Sequence, residues 1–465
     1  MSKFRELFSP RDMSVGKPWK RIAEFAFPLL IGNFAQQLYN TVDAVVVGNS
    51  KWGYTALASV GNAAPVLNLL LALFVGISTG AGILVAQHFG AKNSEALART
   101  IGNCISLTAI ASLIIMVVGP LITGPLLRAV GTLPSMYDGC KSYLSIFFYG
   151  IAGGFFYNMF AGILRGLGDS FSALLYLMVT AALNIVLDLA FVGDMGVAGV
   201  SLATVIAQFV SAILCLRKLL SLKSVFSLHK RDLRPERTYV SRILGLGLPS
   251  GLTQAIFSCA MMVVQRLINS FDDAMFVACN VMVMRVDGYA MLPNFSFGQA
   301  MGTYAGQNIG ARRLDRLKDG TRQGLMMSVG TALVLTPAVL LAGPTLMRLF
   351  TPEQGLIDLS MQMMYILAAG YIAMSVTQVL QGVMRGAGDT VTPMWISFGT
   401  AIGLRLPLAY ILVALVRNAG APVLTQEKMV FVSLLANWIL GMVLTILLFK
   451  LGRWKRKLPQ MDSDA

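Results

Sequence analysis

A carboxylate lies inside one of the most apolar stretches of this chain. The stretch LYNTVDAVVVG, residues 38–48, is typical of a membrane-spanning helix, yet it contains Asp43. Of the 22 acidic residues, only Asp43, Asp188 and Asp287 are well inside apolar segments. A charge near the centre of a bilayer costs from about 2.5 to over 10 kcal/mol, so such residues usually face a cavity and act in function. We expect this of Asp43 and Asp188; the structural alternative is a carboxyl that is protonated or paired with a neighbouring helix.

Further polar side chains accompany these two carboxylates at helical spacing. In the fifth apolar segment Asn184 precedes Asp188 by four residues and shares its helix face. Ser201 and Thr204 add hydroxyl oxygens in the sixth segment. Carboxylate, amide, hydroxyl and phenol oxygens suit a proton or Na⁺. The first segment carries a polar strip at spacings of three and four, formed by Asn33, Gln36, Gln37, Tyr39, Asn40 and Asp43.

The second half of the chain has a different set of charges. Asp287 follows Arg285 by two positions, one short of the spacing at which they would face each other on a helix, so their pairing stays open. Arg266 and Arg405 are further cations within apolar segments. We interpret Arg285 and Asp287 as a structural or gating pair, or else as residues that contact a substrate in a central cleft, together with Gln36 and Asn40.

Composition places all of these residues in a membrane protein. Hydrophobic residues make up 56% of the 465 and charged residues only 13%, about half the fraction usual in soluble domains. The apolar runs exceed the roughly 18 residues needed to cross a bilayer, which predicts an all-α integral membrane fold without a cleaved signal peptide. The predicted segments are 20–48, 57–87, 98–122, 140–163, 171–193, 197–216, 243–269, 274–308, 324–347, 359–384, 391–416 and 429–449.

The net charge of +15 has a topological cause. With the N-terminus inside, 28 of the 37 Lys and Arg residues fall on one side of the membrane and only 6 on the other. Cytoplasmic loops retain Lys and Arg in this way, so we expect a multi-pass protein of the cell (inner) membrane with both termini in the cytoplasm. The same distribution argues against binding of nucleic acid.

The chain contains the same pattern twice. GILRGLGDS at 162–170 returns as GVMRGAGDT at 382–390, and AQHFGAK at 86–92 returns as GQNIGAR at 306–312, both displaced by 220 residues. The repeat predicts two six-helix lobes, 1–221 and 241–465, joined by a basic linker, 222–240. Since six is even, both lobes enter from the cytoplasm, and a pseudo-twofold axis should run along the membrane normal, as in carriers with parallel repeats.

The repeated turn motifs are better explained by structure than by chemistry. Arg165 and Arg385 precede glycines that permit positive φ and an Asp placed to cap the next helix. G-x-G-D also occurs in intramembrane aspartyl proteases, but those carboxylates must lie within the membrane beside each other. We therefore expect no enzyme. Five scattered cysteines and two histidines predict neither a redox centre nor a zinc site.

In this order and spacing, the motifs resemble the multidrug and toxic compound extrusion (MATE) family, over nearly the whole chain. The similarity rests on YNTVDAVVVG in the first segment, GQ/AQ-x-x-GA after the second and eighth, RGxGD after the fourth and tenth, and LNIVLD in the fifth. The resemblance implies export of organic, often cationic compounds in exchange for H⁺ or Na⁺. It is greatest to the branch that resembles the DNA-damage-inducible (DinF-like) proteins.

By motif match, the DinF-like branch implies a cation site in the first lobe at Asp43, Asp188, Asn184, Tyr39 and Thr204. Acidic residues that another branch carries in its seventh and tenth helices are missing here, which puts a cation site in the second lobe in doubt. We expect Pro28 and Pro249 to act as hinges, no organic cofactor, no metal other than Na⁺ at the cation site, and a monomer in the lipid membrane. The alternative is a flippase for lipid-linked or amphiphilic substrates.

Overall fold

Helices account for almost all of the described chain. The computed structural model describes residues 9–48, 53–130, 132, 134–348 and 351–457, and within them there is no strand. Each apolar segment predicted from the sequence coincides with a helix or with consecutive helices, which confirms the all-α class. The first half contains α1 Pro18–Gly48, α2 Gly53–Gly90, α3 Ser94–Val130, α4 Pro134–Tyr149, α5 Ile151–Gly166, α6 Ser170–Met195 and α7 Val197–Ser221. The second half, after a 3-10 turn Lys230–Leu233, contains α8 Arg237–Asn269, α9 Ala274–Ala290, α10 Leu292–Gly310, α11 Leu314–Arg348, α12 Gln354–Gly386, α13 Val391–Phe398, a π-helical segment Gly399–Arg405, α14 Leu406–Asn418, α15 Val423–Leu451 and a 3-10 turn Arg453–Lys457.

Two of the predicted spans are bent. In the described ranges, nine helical stretches have the length and hydropathy of a membrane span, and the bent pairs α4/α5 and α9/α10 bring the number to eleven. The bends are 54° and 41°. The second bend precedes Pro293, whose missing N–H is tolerated in the first turn of α10. Because α1 is not among the eleven, the number of twelve spans stays a prediction.

Both halves contain the same close helix crossing. α5 packs on α2 where a Cβ on Gly166 would collide with the carbonyl oxygen of Gly82. α12 packs on α10 in the same way, with Gly386 against Gly302, and each of these residues lies 220 positions after its counterpart. Helices in membranes associate through small residues because close backbone approach replaces the hydrophobic driving force. The sequence repeat is therefore also a repeat of packing.

The RGxGD turns have the structural role predicted for them. Gly168 has φ of +82° and Gly388 has φ of +86°, a region that glycine enters without strain. The Asp169 carboxylate accepts the backbone N–H of Ser172 at 2.9 Å and so caps α6. Asp389 accepts the N–H of Thr392 at 3.2 Å in the second copy.

The described chain divides into two compact units whose boundaries fall inside α1 and α8. Unit 1 holds Phe27–Gly251 with the described residues up to Asp12, and unit 2 holds Met13–Ala26 with the chain from Leu252 onward. The change of unit occurs within a few residues of Pro28 in α1 and of Pro249 in α8. The lobes predicted from the repeat differ from these units at one point. The beginning of α1 belongs to unit 2, and the beginning of α8 belongs to unit 1.

Within unit 1, the beginning of α8 packs against α2 and α3. A side chain on Gly76 would collide with the backbone of Gly251, so α2 and α8 touch main chain to main chain. The Asn103 side chain of α3 accepts the backbone N–H of Glu236 at 2.7 Å, immediately before α8. This bond satisfies one of the donors that a helix N-terminus leaves open.

Within unit 2, the segment before α1 is held by the second copy of the GQ/AQ motif. The N–H of Met13 donates to Gln307 Oε1 at 2.8 Å, and its carbonyl accepts from Asn308 Nδ2 at 3.4 Å and Arg316 Nη2 at 3.3 Å. Met13 itself is fully enclosed. The motif thus fixes the chain where it enters α1.

Candidate functional site

A polar stripe runs along the buried face of α6. Thr180, Asn184, Asp188 and Val192 follow one another at intervals of four residues, and all four are buried. Asn184 and Asp188 have no exposed surface at all. Since 3.6 residues make one helical turn, the four side chains share one face. The structure therefore encloses both α6 residues that the sequence predicted for the cation site.

Side chains of α7 meet this stripe. Asn184 Nδ2 donates to Thr204 Oγ1 at 3.4 Å, and the Thr204 hydroxyl donates to the carbonyl of Val200 at 3.0 Å. The hydroxyls of Thr180 and Ser211 share a hydrogen bond of 2.5 Å. The predicted residues Asn184 and Thr204 are thus in contact. Sequence reasoning missed Thr180 and Ser211, although Thr180 continues the four-residue spacing of Asn184 and Asp188.

The register between α1 and α6 can be read from the contacts at their ends. A Cβ on Gly32 would lie 3.5 Å from Leu174 Cδ1 and 3.6 Å from Leu177 Cδ2, and Val47 belongs to one apolar cluster with Val192. These α6 residues follow their α1 neighbours by 142 to 145 positions. The two helices therefore run parallel, in register to within about one turn.

This register sets the level of the remaining predicted residues of α1. Positions 39 and 43 lie level with Asn184 and Asp188 on α6 to within about one turn. Tyr39 is half-buried. The side chains of Asn40 and Asp43 lie outside the described part of the structure, so their contacts stay predictions. The backbone alone places Asp43 one turn before Val47, and Asp188 one turn before the Val192 of the same cluster.

The helices that carry these groups have no basic residue at this depth. No Lys or Arg occurs between Arg21 and Lys51, or between Arg165 and Arg217. Those intervals contain nearly all of α1, α6 and α7. A carboxylate in the interior of a membrane protein usually pairs with a cation or neutralises itself. Within these intervals, α1, α6 and α7 therefore supply no side-chain cation to the enclosed carboxylate.

The three other residues predicted to line a cleft occupy different surroundings. Gln36 of α1 is exposed, and so is Arg285 of α9. Asp287 is half-buried, and its Oδ1 atom is enclosed. Whether Gln36, Arg285 and Asp287 contact a substrate stays a prediction.

The charge partner of Asp287 is a residue that the sequence analysis did not assign to it. The Tyr371 side chain of α12 lies beside the carboxyl, and the nearby Arg405 guanidinium attracts it. Arg405 ends the π-helical segment, is only 5% exposed and donates from Nη1 to Met261 Sδ at 3.6 Å. The sequence offered Arg285 as partner; the structure places Arg405 there instead, from 118 residues further along.

The part of the chain that is described contains no cluster of side chains suited to bind a transition metal. Among those residues, no three His, Cys, Asp or Glu side chains come together to hold a metal ion. The donor set around Asp188 consists of oxygen atoms and one amide, which fits a proton or a hard monovalent cation.

Comparison with known proteins gives the family. The MatE family model matches twice, at residues 28–190 and 249–411, so the matches begin at Pro28 and Pro249, the two prolines predicted to be hinges. A probable multidrug resistance protein of Bacillus subtilis, YoeA, is 29% identical over 85% of this chain and 87% of its own. The DNA damage-inducible protein F of Escherichia coli is 29% identical over 71% and 72%.

Solved structures share the fold. A multidrug resistance MATE family transporter of the MOP superfamily in an outward-facing conformation superimposes with a TM-score of 0.87 at 23% identity, covering 96% of this chain and 97% of that one. A MATE protein in complex with MaL6 gives a TM-score of 0.88, also at 23% identity, over 96% and 98%. On the two family matches, which together span more than half of its length, this chain belongs to the MatE family of multi-pass membrane transporters.

Proposed function

We propose that the chain is a secondary active antiporter that exports organic compounds, cationic or amphiphilic, in exchange for H⁺ or Na⁺. The observation that carries the proposal is the enclosed Asp188 with Asn184 beside it, on helices without a basic residue. Relatives described as probable multidrug resistance proteins in Bacillus subtilis and Thermotoga maritima support the substrate class. They give no support to the flipping of lipid-linked substrates.

Coupling follows from competition for the same carboxylates. A proton or Na⁺ that reaches Asp188 and Asp43 from outside removes negative charge, and a cationic substrate then loses its attraction and leaves. When the cation departs to the cytoplasm, the carboxylates again favour a cationic substrate. One charge moved across 100 mV supplies about 2.3 kcal/mol, and each unit of pH difference about 1.4 kcal/mol. Together these are enough to shift a two-state equilibrium substantially.

We assign the hinges of alternating access to Pro28 and Pro249. A proline inside a helix removes one backbone hydrogen bond and weakens the helix at that point. Both prolines lie beside the positions where α1 and α8 pass from one compact unit to the other. A bend there changes the direction of the rest of the helix without breaking the packing on either side.

The test is transport in liposomes with pH and Na⁺ gradients imposed independently. Wild-type protein should export ethidium when one of the two gradients is present, which also identifies the ion. Asp188→Asn should export none above background, because the amide cannot exchange a cation at that position. Asp194→Asn is the matched control: it makes the same change six residues further along α6, at an exposed position.

Gradient-driven export by Asp188→Asn at the wild-type rate would refute the proposed coupling site. Export of lipid-linked sugars rather than ethidium by the wild type would refute the substrate class. We propose further that the protein works in the cell membrane as a monomer with both termini in the cytoplasm. Crosslinking in native membranes and labelling of cysteines placed at each terminus test these two points.

A further inference from the structure

Unit 2 encloses a positive and a negative group that are close together but do not bond. Oδ1 of Asp287 and Nε of Arg405 are buried, and neither has a hydrogen-bond partner among the described residues. The two charges nevertheless attract each other. A buried polar atom without a partner costs about 1–3 kcal/mol, and more when it is charged, so it calls for a physical explanation.

Polar groups continue from this pair toward a small cavity. Tyr371 lies beside the Asp287 carboxyl and also lines a cavity of about 10 Å³, the size of one water molecule. Asn294 and Thr336 line the same cavity. The Thr336 hydroxyl is buried without a partner among the described residues, and Asn294 Nδ2 donates to the Tyr371 carbonyl at 3.2 Å. A water molecule there would find the several polar partners that it needs.

We propose that Asp287 is a second exchangeable-proton site, in which a proton and the Arg405 guanidinium compete for one carboxylate. With the proton on Oδ1 the acid is neutral and no longer attracts Nε of Arg405. When the proton leaves to water, the carboxylate draws in Nε of Arg405. The step moves one proton and changes no covalent bond other than O–H. It deepens the proposed antiport and rests on it.

The charge of Arg405 makes the proton the fitting ligand. A Na⁺ ion beside Asp287 would be repelled by a guanidinium that is itself buried, whereas a proton becomes part of the carboxyl and cancels its charge. The π-helical segment that ends at Arg405 supports movement of this residue. Such segments lack the regular helical hydrogen bonds and often occur at functional sites.

Few titratable groups face Asp287. Tyr371 comes from α12 and Arg405 from the π-helical segment. The other neighbours of the network are not titratable: Met261 of α8 contacts Arg405, and Asn294 of α10 and Thr336 of α11 line the cavity. On α9 itself, Arg285 is exposed.

The first arm of the test needs no transport. Infrared difference spectra of the full-length protein in lipid nanodiscs, recorded between acidic and alkaline pH, contain one C=O band for each carboxyl that gains a proton. Asp287→Asn should remove one band, and Asp188→Asn a different one. Tyr371→Phe should move the Asp287 band to higher frequency, because the C=O loses the polar hydroxyl beside it. If Asp287→Asn and Tyr371→Phe both leave every band in place, Asp287 exchanges no proton.

The second arm counts protons for each ethidium cation exported, from the membrane potential that stops net export at a fixed pH difference. The double variant Asp287→Asn with Arg405→Gln should still transport and should use one proton fewer than the wild type. Arg266→Gln, which neutralises an exposed cation on α8, should leave the number unchanged. An unchanged number in the double variant would overturn the proposal while the antiport itself stands. If the wild type shows no gradient-driven export, the antiport proposal fails and the infrared bands still decide the proton site.

Discussion

The two units share the same backbone packing but differ in the basic residues near their enclosed carboxylates. In unit 1, Asp188 of α6 is fully enclosed, and the chain has no Lys or Arg between Arg165 and Arg217. In unit 2, Asp287 lies beside the buried Arg405. The repeat makes the contrast sharper, since Arg405 lies 220 positions after Ile185 and 221 after Asn184, the two displacements at which the halves match. The helix that carries the acid in one half therefore carries a base in the other.

The comparison indicates that duplication preserved packing while the charges diverged. Glycine crossings, capped turns and hinge prolines occur in both halves because each half must fold in the same way. The helix of Asp188 carries no basic residue, whereas Asp287 has a buried arginine nearby. We therefore expect a coupling cation to meet an acid on an uncharged helix in unit 1, and an acid with an arginine as competitor in unit 2.

The largest effect should come from giving unit 1 the arginine of unit 2. Ile185→Arg introduces a guanidinium three residues before Asp188, at a half-buried position from which the two side chains can meet. The tethered cation should occupy the carboxylate permanently, so pH- or Na⁺-driven export of ethidium should fall to background. Efflux from proteoliposomes measures this.

Ile185→Gln is the matched control, because it adds a polar side chain of similar reach without charge. It should retain most of the activity, and both variants should elute as a single species in size-exclusion chromatography. Full coupling in a well-folded Ile185→Arg protein would mean that Asp188 needs no free cation, and the contrast between the units would lose its functional meaning.

A smaller effect is expected from the hydroxyl that completes the α6 stripe. Thr204→Val keeps the shape but removes the oxygen that accepts from Asn184 at 3.4 Å. Loss of one such partner in a buried site costs about 1.4 kcal/mol, so the apparent affinity for the coupling cation should fall about tenfold. The cation concentration that gives half-maximal export measures this.

Two control variants distinguish the loss of the Thr204 hydroxyl oxygen from a change in side-chain shape. Thr204→Ser keeps the hydroxyl and should behave like the wild type. Thr377→Val makes the same replacement in α12 of unit 2, where the hydroxyl bonds to its own helix at Ala373, and should not change the affinity. An equal fall in Thr204→Val and Thr377→Val would show that the effect is general and not specific to the site.

Features with a local signature could be predicted from the sequence. Apolar runs located the helices, the repeated motifs located the capped turns, and the spacing of Asn184 and Asp188 located the enclosed face of α6. The bond between Thr180 and Ser211 joins two helices through a register that no local period encodes. For the same reason the sequence did not predict that Arg405 lies near Asp287, since that position depends on how α9 and the π-helical segment pack.

Replacing either of the two proposed hinge prolines should lower turnover several-fold, by about the same factor in the two halves. Pro28→Ala and Pro249→Ala each restore a backbone donor inside a helix and stabilise the straight form by up to about 3 kcal/mol. Turnover should fall several-fold in each variant, while the apparent affinity for the cation should stay unchanged. Initial rates of export at saturating substrate measure this, with Pro293→Ala as a control in the first turn of α10, where proline breaks no helical bond. Wild-type turnover in both hinge variants would remove these prolines from the mechanism.

The smallest effects should come from the helix caps in the two RGxGD turns, where we expect a change in stability only. Asp169→Ala and Asp389→Ala each remove a helix cap and should lower the free energy of unfolding by about 1 kcal/mol without changing transport. Burial raises the pKa of the Asp169 carboxyl, against the opposing effects of the bonds from Ser172 and the charge of Lys218. Folded protein therefore holds this proton more tightly than the unfolded chain.

That difference in proton affinity fixes the sign of the pH dependence. The stability that Asp169 contributes is complete below its unfolded pKa of about 3.9 and is lost as pH rises through the raised folded value. Asp169→Asn keeps a capping oxygen but cannot titrate, so its unfolding midpoint should decline less than that of the wild type across the mildly acidic range. Identical pH profiles for wild type and Asp169→Asn would mean that the turn tolerates the ionised acid at no cost.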